Sequence, residues 1–283
     1  MTKSYFLLLL AGLAACGCAP LPEPPGAPAT EPAAILSRTH ASAGVTLVRL
    51  ANGLTVIIGE NHNAPVVCVR SYIRAGGMYE GKYLGTGVSH LCEHLVAKGA
   101  VHDGGGGARK PKQTSSRLDR IGGQSNAFTS LAHTGYYIAA ASGMTGECID
   151  LMADWMVRPE IAQADFDREH GVVQRELEMG RDNPGRQMWY ANASNFFGTH
   201  PASVPVIGRA RPLAGLTRAD VLDYHGRMYV PQNMVLAVVG DIDPQAAIEQ
   251  ILQQMQGFYK GRSVEFTLPK VPPVSGVRRV VRR

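Results

Sequence analysis

Apolar and polar residues alternate with period two along Val45-Thr46-Leu47-Val48-Arg49-Leu50 and again along Leu54-Thr55-Val56-Ile57-Ile58, and Asn52-Gly53 lies between them. That pattern predicts a β-hairpin. Pro65 opens a third strand, Val66 to Arg74, which Ala75-Gly76-Gly77 closes. The period then changes. Val88, Leu91, Cys92, Leu95 and Val96 recur at helical spacing, with Thr86 placed as N-cap and Gly99 as stop, so this stretch predicts a helix of about three turns with one apolar stripe. Ser115 to Ile121 reads as a short helix, and Gln124 to Thr129 with His133 to Ala140 as a second hairpin. Cys148, Leu151, Met152, Trp155 and Met156 mark a core helix that Pro159 ends, and a longer helix runs from about Ile161 to Arg181. Another passes through Trp189 and Phe196, and one begins at Thr217 as N-cap. Val235 to Gly240 is a continuous apolar strand, after which Asp243 opens a helix ending near Met255. Interleaved hairpins and helices predict an α+β fold, a mostly antiparallel sheet with helices packed over it.

Composition changes the picture at the two ends. With 283 residues and 45% hydrophobic content the chain can bury a sizeable core. The net charge of +5 owes much to Arg278, Arg279, Arg282 and Arg283, but no aromatic-interleaved basic element accompanies them, which excludes nucleic acid as partner. Lys3 precedes an apolar run from Phe6 to Ala15, too short for a mature span, so residues 1–15 read as a signal peptide. Leu13-Ala14-Ala15-Cys16 resembles the lipobox of bacterial lipoproteins, which implies lipidation at Cys16 and, with Gly17 giving no retention signal, the periplasmic face of the outer membrane. Residues 16–40 are expected to form a proline-rich tether, 41–265 the folded domain, and 266–283 a linker with the start of a second domain. Of five cysteines, Cys68, Cys92 and Cys148 fall in the domain, an odd count that argues against a disulfide framework.

The candidate chemistry lies on the predicted helix 86–99. His90, Glu93 and His94 recur at i, i+3 and i+4, opposite the apolar stripe, which puts two imidazoles one turn apart with a carboxylate beside them. Two histidines four apart on a rigid helix can aim nitrogen ligands at one zinc ion. His-x-x-Glu-His is the inverted zincin motif. Cys92 sits on the apolar stripe and reads as a buried thiol rather than a ligand. On the helix 161–181, Phe166, Glu169, Val173, Glu176 and Leu177 share a face, so two carboxylates point where a core should be. Each needs a cation, either a metal or an Arg or Lys partner. Two histidines and one glutamate would leave an open site of the catalytic kind, with Glu176 as third ligand and Glu169, beside Glu93 among the catalytic candidates, orienting a histidine ring or assisting proton transfer; spacing alone leaves their order open. The run His102 to Pro111, rich in glycine at Gly104 to Gly107, lacks a phosphate-cradling ending and reads as a loop insertion.

Taken together, His90-Leu91-Cys92-Glu93-His94, Gly122 to Thr129 with His133 to Tyr137, Glu169 to Glu176, Pro205-Val206-Ile207-Gly208, and Tyr229 to Asn233 leading to Gly240-Asp241 resemble the N-terminal domain of the pitrilysin/insulinase family of zinc metallopeptidases. The resemblance runs from about Thr46 to Met255. It implies a domain like those of pitrilysin and the mitochondrial processing peptidase, with Zn2+ held by His90, His94 and Glu176, Glu93 as general base and Glu169 as supporting carboxylate. It also implies a peptide substrate bound as an added strand along the edge holding Asn126 and Ala127, and a second homologous domain or subunit closing over the first. The activity so implied is zinc-dependent endopeptidase cleavage of peptides or small unfolded proteins. A non-catalytic or partner-dependent subunit of a two-chain assembly is the alternative.

Overall fold

The structure, a computed structural model, describes residues 33–41, 44–98, 100–101, 113–259, 261, 264, 266–273, 276–277, 279 and 281. The signal peptide, Cys16, most of the proline-rich stretch, Gly99 and the glycine-rich run lie outside the described residues.

Seven strands form one sheet: β1 (Ile35–His40), β2 (Val45–Leu50), β3 (Thr55–Glu60), β4 (Val66–Ile73), β6 (Gln124–Thr129), β7 (Thr134–Ala141) and β9 (Met234–Gly240). Their order is β1-β2-β3-β9-β4-β7-β6. Every pairing is antiparallel except that of β3 with β9, where Thr55 to Glu60 run beside Val235 to Gly240 in parallel. A two-stranded ribbon joins β5 (Ala100–Val101) to β8 (Pro159–Glu160). The helices are α1 (Val88–Lys98), α2 (Gln113–Ile121), α3 (Thr145–Val157), α4 (Gln163–Arg181), α5 (Pro184–Phe197), α6 (Ala210–Ala214), α7 (Arg218–Met228) and α8 (Pro244–Gln254).

The core lies on one face of the sheet. Period-two alternation puts Val67, Val69, Ser71 and Ile73 of β4 on that face, beside Leu236 and Val238 of β9 and Tyr136 and Ile138 of β7. Against it pack the stripes of α1 and α3, with Leu91, Cys92, Leu95, Leu151, Met152 and Trp155 all buried. Burial of side chains of this size contributes about 1.5 to 3 kcal/mol each. Thr217 caps α7 through a reciprocal pair with Asp220, and Asp243 caps α8 by accepting the Ala246 N–H at 2.7 Å.

Three features depart from the expectations. The stretch Ile35–His40, assigned to the tether, is a strand paired with β2, so the folded unit begins before residue 41. Its side chains are all exposed, which leaves no alternation to betray it. The ribbon of β5 and β8 was not foreseen, and α4 starts at Gln163 rather than Ile161.

Candidate metal centre

Helix α1 is wedged among β6, β7, α4 and α7, and burial extends past its apolar stripe to Glu93 and His94. Its N-terminus is held from two directions. Gly87 rather than Thr86 holds the cap position, its carbonyl accepting the Leu91 N–H at 3.0 Å; Thr86, one residue earlier, accepts the Val88 N–H on Oγ1, while the carboxylate of Glu80, only 1% exposed, accepts the Ser89 N–H and the Ser89 hydroxyl on Oε1 and the Gly85 N–H on Oε2. A carboxylate at a helix N-terminus meets both free N–H groups and the positive end of the dipole. Burial nevertheless pushes the Glu80 carboxyl up to about 7, against the pull of those hydrogen bonds. Glu80 escaped the sequence reading because an acid in a glycine-flanked loop carries no periodicity.

A second support is backbone on backbone. Gly87 has φ +73° and Gly208 φ +82°; a Cβ on Gly87 would lie 2.4 Å from the Ile207 carbonyl oxygen, and one on Gly208 would lie 2.6 Å from the Gly87 nitrogen. Only glycine fits either position. The segment Pro205-Val206-Ile207-Gly208 is thereby seated against the start of α1.

The predicted site residues converge. His90 Nε2 and His94 Nε2 lie 3.7 Å and 3.9 Å from Glu176 Oε2 of α4, and Glu93 Oε2 is 4.0 Å from His90 Nε2. The His90 and His94 rings meet edge to face with centroids 4.7 Å apart. A tetrahedral zinc with bonds of about 2.0 to 2.1 Å spaces its ligand atoms about 3.4 Å apart, so the two imidazoles and the Glu176 carboxylate have the donor types and nearly the spacing such an ion requires. Burial, joined by the charges of His94, Lys98 and Arg186, pushes the His90 imidazole down to about 3, which keeps it neutral with a lone pair to offer. His94 Nδ1 stands 3.2 Å from Glu169 Oε2, a contact that fixes the tautomer with the Nε2 lone pair facing Glu176. Burial raises the Glu169 carboxyl, but the His94 hydrogen bond, the Lys98 charge and the Arg168 hydrogen bond outweigh it and hold the group at about 2. Glu93 is different: burial pushes its carboxyl up, and the only hydrogen bond it accepts among the described residues is from Thr129 Oγ1 at 3.0 Å.

Asn126 and Ala127 lie on β6, which among the described residues pairs only with β7 and forms one margin of the sheet. The Asn126 side chain accepts the Ala127 N–H at 2.9 Å. Cys92 is fully buried and burial drives its thiol up to about 12, so it stands apart from the site chemistry. Cys68, Cys92 and Cys148 are all free thiols.

Fold and centre together define an α+β domain with a His-x-x-Glu-His helix beside the margin strand of its sheet. Residues 55–208 match the family described as Insulinase (Peptidase family M16), and residues 215–283 match that described as Peptidase M16 inactive domain. An uncharacterised zinc protease of Mycobacterium leprae is 31% identical over 202 residues, 71% of this chain and 44% of that protein. Bovine cytochrome b-c1 complex subunit 1, mitochondrial, is 29% identical over 231 residues, 81% of this chain and 45% of that protein. The first half of the periplasmic protease PqqL from Escherichia coli shares the fold with a TM-score of 0.71 at 21% identity, covering 83% of this chain and 51% of that one. This chain belongs to the insulinase family, peptidase family M16. It spans about half the length of the curated relatives it matches. The two family matches meet between α5 and α7, yet β9, inside the second, lies between β3 and β4 of the first.

Proposed function

We propose that the chain is the metal-bearing half of a zinc-dependent endopeptidase that hydrolyses peptides or small unfolded proteins. The observation that carries this reading is that both imidazoles of α1 lie within 4 Å of Glu176 while Glu93 stands beside them on the same helix. His90, His94 and Glu176 would hold Zn2+. Bound zinc supplies Lewis acidity to the scissile carbonyl and makes a water at the site more acidic. Glu93 takes the proton of the attacking water and returns it to the leaving amine, a task suited to a carboxyl whose burial has raised its proton affinity. Glu169 holds His94 in the ligating tautomer. The peptide lies along β6 as an added strand, where its main chain replaces Asn126 at the Ala127 N–H.

The test is metal analysis of the purified chain together with a quenched-peptide assay, alone and with the second homologous domain or subunit that the relatives' greater length suggests. A chain that binds about one zinc and cleaves peptide in either format supports the reading. Absence of stoichiometric zinc overturns it.

One observation favours a second reading, a partner-dependent subunit without its own catalysis: the similarity to bovine cytochrome b-c1 complex subunit 1, a protein named as part of an assembly. Zinc bound without turnover in both formats would support it. We also propose export and lipid anchoring through Cys16, tested by metabolic labelling with a fatty acid and its loss in Cys16→Ser.

A further inference from the structure

A cavity of about 290 Å³ opens beside His90 and Glu176, and Val206 together with Arg186, Trp189 and Tyr190 of α5 lines it. The first turn of α5 is fixed in place. Asn183 caps it by accepting the Arg186 backbone N–H at 2.9 Å, and Gln187 Nε2 donates to the Gly180 carbonyl at 3.0 Å, tying α5 to the end of α4. Room for the Arg186 side chain comes from Gly180. A Cβ there would lie 2.7 Å from Arg186 Nη1 and 3.0 Å from its Cδ.

The charges around this cavity do not balance. Its acidic wall is Glu176, which the peptidase reading uses up as a metal ligand. Arg186 is the cation lining it, and among the described residues its guanidinium is joined to no carboxylate within ion-pair distance. Trp189, 46% exposed, and Val206 supply an apolar wall at which the methylene stem of a side chain can lie. An apolar wall ending in a forked cation is complementary to a short aliphatic chain ending in a carboxylate.

We propose that Arg186 is a specificity-determining residue that selects peptides carrying an acidic side chain, glutamate before aspartate, next to the scissile bond. The inference rests on the peptidase reading for the identity of the ligand, and its test separates the two.

Matched quenched peptides with Glu, Gln or Lys flanking the scissile bond are compared by kcat/KM. In parallel, their unquenched fluorescent forms are titrated by anisotropy onto the zinc-loaded Glu93→Gln chain. The expected result is a preference for Glu over Lys of about tenfold in both measurements. In Arg186→Gln the preference falls to within about twofold with zinc content unchanged, and in Arg186→Glu it inverts. Gly180→Ala, which displaces the guanidinium without removing it, weakens the preference. Equal binding of the three peptides, or a preference that survives Arg186→Gln, overturns the proposal. If no peptide is cleaved, by the chain alone or with the second domain or subunit, while charge-selective binding persists and depends on Arg186, the peptidase reading fails and the acid-selecting role of Arg186 stands.

Discussion

Glu169 Oε2 lies 3.2 Å from His94 Nδ1, and Lys98 Nζ lies 3.4 Å from the same carboxylate oxygen, so one ring of the histidine pair is steered by an acid that is itself steered by two cations, Lys98 and Arg168. An acid that orients a ligand ring supports the affinity of the site for its metal. Glu169→Ala should weaken zinc binding about 10- to 100-fold, as read by chelator competition. Glu169→Gln, which keeps an acceptor for Nδ1–H, should lose much less.

Glu93 is close to the histidines but is held by Thr129, across the gap to the sheet edge. Glu93→Gln should retain zinc and lose about 10² to 10⁴ in kcat with KM little changed. A variant with wild-type turnover would show that the proton moves through another group.

Glu80 sets a pH dependence on stability. Its carboxyl rises from an ordinary 4.5 to about 7 in the folded chain, so the native state holds a proton that the unfolded chain has released between those values. Stability should therefore fall as pH climbs from about 4.5 to 7, by up to about 3 kcal/mol from this group. Glu80→Gln should flatten that slope in urea titrations. Near pH 5, where the native Glu80 carboxyl already carries a proton, the neutral amide should cost little, so the two chains should have similar stability there and diverge as pH rises.

Gly87→Ala and Gly208→Ala each thrust a methyl into facing backbone at positive φ. Either should destabilise the chain by about 2 kcal/mol or more. Zinc affinity should fall with it, because the displaced segment abuts the start of α1. Calorimetry and metal titration on the same sample check the pair.

The three thiols of the domain should differ in reactivity. Cys92 and Cys148 are buried, with their thiols pushed up to about 12 and about 11, whereas Cys68 is partly exposed on the outer face of the sheet. Peptide mapping after brief alkylation of native protein at neutral pH should find label on Cys68 before either of the others.

Much of this architecture is legible in local pattern. The stripe of α1, the hairpins, and the caps at Thr217 and Asp243 are short-range features, decided within a few residues of themselves. What pattern hides is what distance brings together. Glu169 and Glu176 share a helical face in any reading of the sequence, but that both reach the histidine pair depends on how α4 crosses α1. The strand β1 shows no alternation because, among the described residues, nothing covers either of its faces. The apolar run of β9 announces a buried strand without naming its neighbours, one parallel and one antiparallel. Arg186 looks like any surface cation until α5 is laid beside the site.

The placement of β9 also governs when the molecule can take shape during synthesis. The hairpin β2-β3 and the pair β4-β7 have no common border until Met234–Gly240 slides between them. A nascent chain that already displays both histidines and Glu176 still lacks the strand that joins its two half-sheets, and contacts of such long sequence separation form slowly. Until the ribosome has delivered β9, those half-sheets expose unpaired edges to chaperones, proteases and one another, so this late strand is where a premature stop or a pause in translation should do the most harm.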